Sequence, residues 1–277
     1  MTKVKVPVLT YHAANITGNS YQSNDRIAFQ SDLYNLHHLG FQIIPLYWLA
    51  EWVNGDRELH HDAAPYVALS CDDGLDHDFI DGDYLNFGPQ KSFYRILKDF
   101  HADVGQKHQP HAHLTAFVIA CSRARTKIAM KSLQGHQLLN DNWWKEANHS
   151  ALMAIENHSW DHRHPDIYCT EQANFKSITD ETQATRQIIR AKKEIDRISA
   201  GNSQLFCYPW GHHNTYLAQE FLPTLGQQAG IKAAFTCEAK PVTHDTNPWL
   251  MPRYVCGPDW HSPNQLIQLL KQDVLTA

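Results

Sequence analysis

Asp72-Asp73-Gly74 and His158-Ser159-Trp160-Asp161-His162 are the parts of this chain whose residue types and spacing can do chemistry. Together they supply two adjacent carboxylates and two imidazoles four residues apart. A divalent-metal hydrolase needs such a set: neutral imidazoles and one carboxylate as ligands, an open position, and a second carboxylate to take a proton from water. Neighbouring side chains of an extended chain point opposite ways, so one aspartate can face a metal while the other faces the substrate. Neither half is diagnostic by itself. Asp-Asp-Gly is ordinary turn chemistry, and 19 histidines in 277 residues make pairs at this spacing common.

The elements around the two groups sharpen the reading. Residues 65–71 form a short apolar run into Asp72, and residues 151–155 form another towards His158. Both groups therefore sit where a strand ends, which is where parallel α/β folds collect their reactive side chains. Strands are expected at residues 4–10, 41–44, 66–71, 113–121, 204–208, 231–237 and 249–255. Helices are expected over residues 29–39, 46–53, 92–100 and 180–200, with a last one after the Ser262 cap and Pro263. Repeated βα alternation implies a parallel sheet, and about seven strands suggest a distorted parallel (β/α) barrel of the α/β class. Two stretches read as rim insertions that could touch substrate: residues 76–91 and residues 122–150, the latter with Trp143-Trp144.

Composition narrows the function classes. The length and a 43% hydrophobic content suit a single domain over residues 1–277 with a sizeable core. A net charge of −5 argues against a general nucleic-acid or anionic-membrane binder. No apolar run reaches the ~20 residues of a membrane span, and Met1-Thr2-Lys3 leads into alternating Val4, Val6 and Val8 with no signal-peptide core. Six scattered cysteines without a Cys-x-x-Cys pair read as free, mostly buried thiols. A cytoplasmic location is the expectation.

In this context the chain resembles the polysaccharide deacetylases, metal-dependent carbohydrate esterases with a NodB-homology domain. Ser70-Cys71-Asp72-Asp73-Gly74 is similar to the family's first motif, usually Thr-Phe-Asp-Asp-Gly. His158-Ser159-Trp160-Asp161-His162 matches the second, His-Ser/Thr-x-x-His. Phe206-Cys207-Tyr208-Pro209-Trp210-Gly211 is similar to the third. Pro7-Val8-Leu9-Thr10-Tyr11-His12 looks like the family's first strand. Leu250-Met251-Pro252-Arg253-Tyr254 is similar to a segment of members acting on poly-N-acetylglucosamine.

The resemblance implies roles. Asp73, His158 and His162 would hold a divalent metal, with zinc the default for such a set and Co, Ni or Fe also compatible. Asp72 would be the general base. Trp210 would offer a backbone N–H to the oxyanion and its ring to the groove, with Tyr208, Pro209 and Gly211 lining substrate. Asp161 could orient a ligand imidazole or be a solvated loop carboxylate, and His164 reads as a surface residue. The chain also departs from the family. Cys207 stands where many members carry an arginine paired to the base, and Arg253 is the candidate replacement, against a structural ion pair. The usual late general-acid histidine has no counterpart, and His12 is the nearest by topology, with His212, His213 and His261 less well placed. The implied activity is hydrolysis of the N-acetyl amide of an N-acetylated sugar or polysaccharide. A cyclic-amide hydrolase of the allantoinase kind and a catalytically silent carbohydrate-binding module remain alternatives, and the oligomeric state is open.

Overall fold

A computed structural model describes residues 4–60, 64–84 and 86–275. The expected chain start at residues 1–3 lies outside them. The strands are β1 (Val8–Tyr11), β2 (Gln42–Ile44), β3 (Tyr66–Cys71), β4 (Gly82–Asp83), β5 (Pro89–Gln90), β6 (Leu114–Val118), β7 (Met153–Asn157), β8 (Leu205–Cys207), β9 (Ala233–Phe235) and β10 (Tyr254–Val255). Seven form a continuous parallel path in the order β10-β1-β3-β6-β7-β8-β9, with β2 added beside β3.

The two ends of this path curl towards one another through one segment. Met251 N donates to Ala234 O and Thr236 N donates to Met251 O, so residue 251 rides on β9. Three residues later β10 pairs with β1. The sheet is thus a curled, distorted (β/α) barrel, as expected from the βα alternation. Helices α1 (Asp25–His38), α2 (Leu46–Val53), α3 (Phe93–Val104), α4 (Ser122–Ser132), α5 (Trp144–His149), α6 (Glu181–Ala184), α7 (Arg190–Ser199) and α8 (Pro263–Leu270) complete it. Ser92 and Ser262 cap α3 and α8 by accepting from Arg95 N and Gln265 N.

Period-two alternation sorts each strand between two apolar layers. Val8, Ala68, Phe117, Leu205, Cys207, Ala233, Phe235 and Met251 share one inner cluster. Leu9, Tyr11, Leu69, Cys71, Ala116 and Val118 face the helical layer instead. Towards the carboxyl ends the inner row becomes polar. Thr10 and Ser70 are fully buried and joined by a 2.8 Å hydrogen bond. Ala68, Ser70 and Asp72 are successive members of one row, so the strand itself delivers Asp72 to the top of the barrel.

Several expected boundaries shift. The first strand begins at Val8, with Val6 making an isolated bridge to Val242. The last expected strand shrinks to β10, because Pro248–Leu250 forms a helical turn. Residues 122–150 hold α4 and α5, and Ile128, Leu133 and Leu139 line a cavity with Asp73 and His162, whereas the tryptophan pair belongs to the core. Trp143 and Trp144 are buried; Trp143 stacks on Phe79 at 5.8 Å and Trp144 lies beneath the Arg125 guanidinium. Among residues 76–91, a short turn at Asp76–Asp78 precedes the β4–β5 hairpin.

Candidate active site

Asp72 and Asp73 part at a backbone turn. Asp72 continues the inner row and is 3% exposed. Asp73 takes φ 78°, and Gly74 follows at φ 77° with no room for a Cβ, which would stand 2.8 Å from Val118 Cβ. Left-handed non-glycine residues cost on the order of 1–3 kcal/mol and gather at functional sites. Here Asp73, Ser159, His162, Arg163 and Trp210 all adopt that conformation.

Those turns converge three side chains. Asp73 Oδ1 lies 3.6 Å from His158 Nε2 and 3.4 Å from His162 Nε2, and one ligand atom of each residue falls within 4.8 Å of the others. His158 Nδ1 donates to Cys207 O at 3.0 Å, which fixes the tautomer and leaves the Nε2 lone pair facing Asp73. Ser159 Oγ accepts from His162 N and holds the second ring's backbone. Burial pushes the pKa of both imidazoles below the ordinary histidine range, for His162 with the His158 ring adding to the effect. Neutral rings converging on a carboxylate fit a divalent cation.

Asp72, His158 and Cys207 also lie within ligating reach of one another. A cation there would collide with Arg253, whose guanidinium already fills the space. Arg253 is fully buried. Its Nη1 and Nη2 each donate to an Asp72 oxygen at 2.8 Å. Nη1 also reaches Ser70 Oγ at 3.2 Å, Nη2 reaches Cys207 Sγ at 2.9 Å, and Nε donates to Thr236 O at 3.1 Å. All five guanidinium donors have an acceptor. Burial would raise the Asp72 carboxyl, but the arginine overrides it and holds the group well below the usual carboxylate range.

The remaining predicted residues separate. His12 Nε2 lies 3.9 Å from Asp72 Oδ2, and its backbone N–H donates to buried Asp25. His261 is exposed and bonds Gln265, while His212 packs 5.6 Å from Trp210. Trp210 is 41% exposed and sets its ring 4.1 Å from that of His162. Tyr208 and Pro209, expected to line substrate, are instead buried, and Tyr208 Oη donates to Trp249 O. Gly211 is partly exposed. Asp161 is neither solvated nor bonded to a ligand ring. It is buried and accepts from Tyr168 Oη, Gln187 Nε2 and Arg163 N, which anchors the histidine loop. His164 is half-buried and lies 5.7 Å from His162.

Sequence reasoning missed Ser70, Thr236 and Cys237 as partners of Arg253, whose Nη2 also lies 3.7 Å from Cys237 Sγ. Ser70 had a signal, since it stands two positions before Asp72 on a strand. The other two depend on how the barrel closes.

The polysaccharide deacetylase family model matches residues 107–232. The chain also superposes on the Streptococcus pyogenes deacetylase PplD in complex with acetate, at 21% identity and TM-score 0.65, over 97% of this chain and 99% of that one. Residues 107–232 are thus similar to the polysaccharide deacetylases, and the chain shares their fold. IcaB from Ammonifex degensii (17% identity, TM-score 0.66) aligns with 96% of this chain and 97% of its own. A de-N-acetylase from Aggregatibacter actinomycetemcomitans (14%, TM-score 0.63) aligns with 96% and 100%. No curated protein matches in sequence. At these identities the solved structures carry the fold alone. The deacetylase family match takes in His158, His162 and Trp210 but stops short of Asp72, Asp73 and Arg253, which only the fold brings to the same place. Among the described residues no helix is long and apolar enough to cross a membrane.

Proposed function

We propose that residues 1–277 form one catalytic domain, a divalent-metal-dependent deacetylase that hydrolyses the N-acetyl amide of an N-acetylated sugar or polysaccharide. The observation that carries this reading is the Asp73–His158–His162 cluster beside a carboxylate locked in its ionised form. Asp73, His158 and His162 are the residues that would hold the metal, with zinc favoured by two imidazoles and one carboxylate. The metal, when bound, would supply Lewis-acid activation of water and of the amide carbonyl.

The chain's own groups do the rest. Asp72 remains a carboxylate throughout the working pH range and takes a proton from the attacking water. Arg253 keeps it in place through two parallel hydrogen bonds. Because its basicity is low, Asp72 can hold that proton only briefly before passing it on. His12, 3.9 Å from Asp72 on the same rim, is placed to deliver a proton to the leaving amine. Trp210, turned outward by its left-handed backbone, offers its main chain to the developing oxyanion and its ring as a groove wall.

Acetate release from N-acetylglucosamine oligomers, measured before and after chelation and metal readdition, tests this function. Release that disappears with chelation and returns with metal supports it. Turnover of cyclic amides with none of the oligomers would transfer the site to the allantoinase kind of chemistry. Binding of oligomers with no turnover under any metal would make it a silent carbohydrate-binding module.

A further inference from the structure

Helices α6 and α7 are two parts of one helix, joined by a wider turn at Thr185–Ile189. There Arg190 N donates to Thr185 O, across five residues instead of four. Such a π turn holds one residue more than an α turn and frequently marks a functional site. This one lies against the loop that carries the two candidate ligand histidines. Gln187 O accepts from Trp160 N and Ile188 O accepts from Asn157 Nδ2, both at 2.9 Å. The Gln187 side chain is buried and turns the same way, with its Nε2 donating to Asp161 Oδ1 at 2.9 Å. Arg186 lies 3.6 Å from Asp161 Oδ2, and the Arg190 guanidinium stands 3.9 Å over the Trp160 ring.

The loop needs a hold from outside. Ser159, His162 and Arg163 have φ of 75°, 60° and 43°. Non-glycine residues in that region are strained and persist only where the surrounding structure fixes them.

The two imidazoles are also held differently. A metal-ligating histidine ordinarily donates its other ring N–H to a partner, and this orients the ring. His158 has that partner, since its Nδ1 donates to Cys207 O at 3.0 Å. His162 does not. Its Nδ1 is buried without a hydrogen-bond partner, and its ring meets the face of Trp210 at 4.1 Å. The place of the His162 ring therefore depends on the backbone that leads to it. Ser159 Oγ accepts from His162 N within the loop, and the π turn grips residues 157, 160 and 161 from behind.

We propose that Gln187 is a positioning residue for the candidate metal site: through Asp161 and the loop backbone it sets where the His162 imidazole stands relative to Asp73 and His158. The inference rests on the reading that those three residues hold the metal, and it adds a residue that acts on them from the helix behind the loop.

Gln187→Met keeps the length of the side chain and removes the donor to Asp161. Zinc affinity, measured by competition with a chelating dye, should fall about 10–100-fold, the usual loss when a group that orients a ligand is removed. The ligand-field spectrum of the cobalt-loaded protein should change as well, because the His162 nitrogen moves relative to the metal. At saturating zinc, kcat on N-acetylglucosamine oligomers should fall at least about tenfold while KM stays within about threefold. Arg190→Gln changes an exposed residue and loosens only the hold on Trp160, so a loss of zinc affinity of about two- to fivefold is expected. Ile195→Val, buried farther along α7, should lower stability and leave zinc affinity and the cobalt spectrum unchanged. Zinc affinity and a cobalt spectrum equal to wild type in Gln187→Met overturn the positioning role and leave the metal reading intact. Losses shared equally by Ile195→Val mark a general effect of helix stability and overturn it too. If Gln187→Met does not fold, unchanged zinc affinity in Arg190→Gln overturns the proposal and a loss supports it. Wild-type protein that takes up no zinc removes the metal reading and the inference with it.

Discussion

Arg253 Nη1 and Nη2 lie 2.8 Å from Asp72 Oδ1 and Oδ2, a two-pronged contact between residues 181 positions apart. Both partners are buried, one on the β3 row and the other on the segment that brings the barrel ends together. We propose that this contact does the work of the arginine that the family resemblance would put at Cys207. Cys207 instead accepts a hydrogen bond from the same guanidinium.

Arg253→Met should therefore shift the acidic limb of the pH–rate profile upward. Burial acts to raise the Asp72 carboxyl, and the arginine lowers it. Removing the cation leaves the raising effect opposed only by the smaller contributions of His158 and His12. The sign for stability agrees. A carboxylate whose folded pKa is depressed stabilises above its unfolded value near 3.8, and that stability is lost as pH falls through the folded pKa. In the variant at neutral pH, an unpaired buried charge should cost about 3–5 kcal/mol. Chemical denaturation at pH 7 and a pH–rate series check both; an unmoved acidic limb would remove Arg253 from the mechanism.

Asp72→Asn keeps the shape of the side chain and cannot accept the proton. Activity should fall by ~10²–10⁴-fold, the usual span for a general base, while metal content stays at the wild-type level. Activity within a few-fold of wild type, measured on metal-loaded protein, would exclude Asp72 as the base.

His158→Ala removes one of the three converging groups. Elemental analysis after equilibration with zinc should show bound metal lost or weakened by at least tenfold. Equal metal content in variant and wild type would place the metal elsewhere.

Glu156 predicts a pH dependence unrelated to the reaction. It is buried at the amino-terminal side of β8, where its Oε2 accepts from Leu205 N, and burial pushes its carboxyl up to about 8. A carboxyl raised from 4.5 stabilises fully below that value and loses the contribution as pH rises through about 8. Stability should decline by a few kcal/mol across that window. Glu156→Gln keeps an acceptor for Leu205 N and should flatten the decline in denaturation curves between pH 5 and 8.

Gly211→Ala tests the turn that presents Trp210. Gly211 has φ 68°, and a Cβ there would stand 2.7 Å from Cys237 N. Strain and collision together should cost about 1–3 kcal/mol. A thermal midpoint equal to wild type would show that the turn has slack.

The parallel (β/α) order, the strand that runs into Asp72 and the histidine pair were legible in the sequence. Each depends on local rules: apolar runs of strand length, period-two alternation, and groups a few residues apart. Alternation separates Val8, Ala68 and Phe117 from their neighbours, but both faces are apolar and only the structure shows which one is inner. The polar row above them follows from the same count. Boundaries were less legible where proline and short turns cut strands, as at Pro248–Leu250.

Only the tertiary structure decided which distant groups meet. Trp143 and Trp144 carry no local mark that separates a groove wall from a core; packing against Phe79 and Arg125 makes them core. Asp161 looks like any loop carboxylate until Tyr168 and Gln187 close on it. The Asp72–Arg253 pair arises from closure of the barrel. Sequence spacing sets where a side chain stands on its own strand. The contact between two strands depends on how the whole sheet curls, and that is a sum over the packing of every layer.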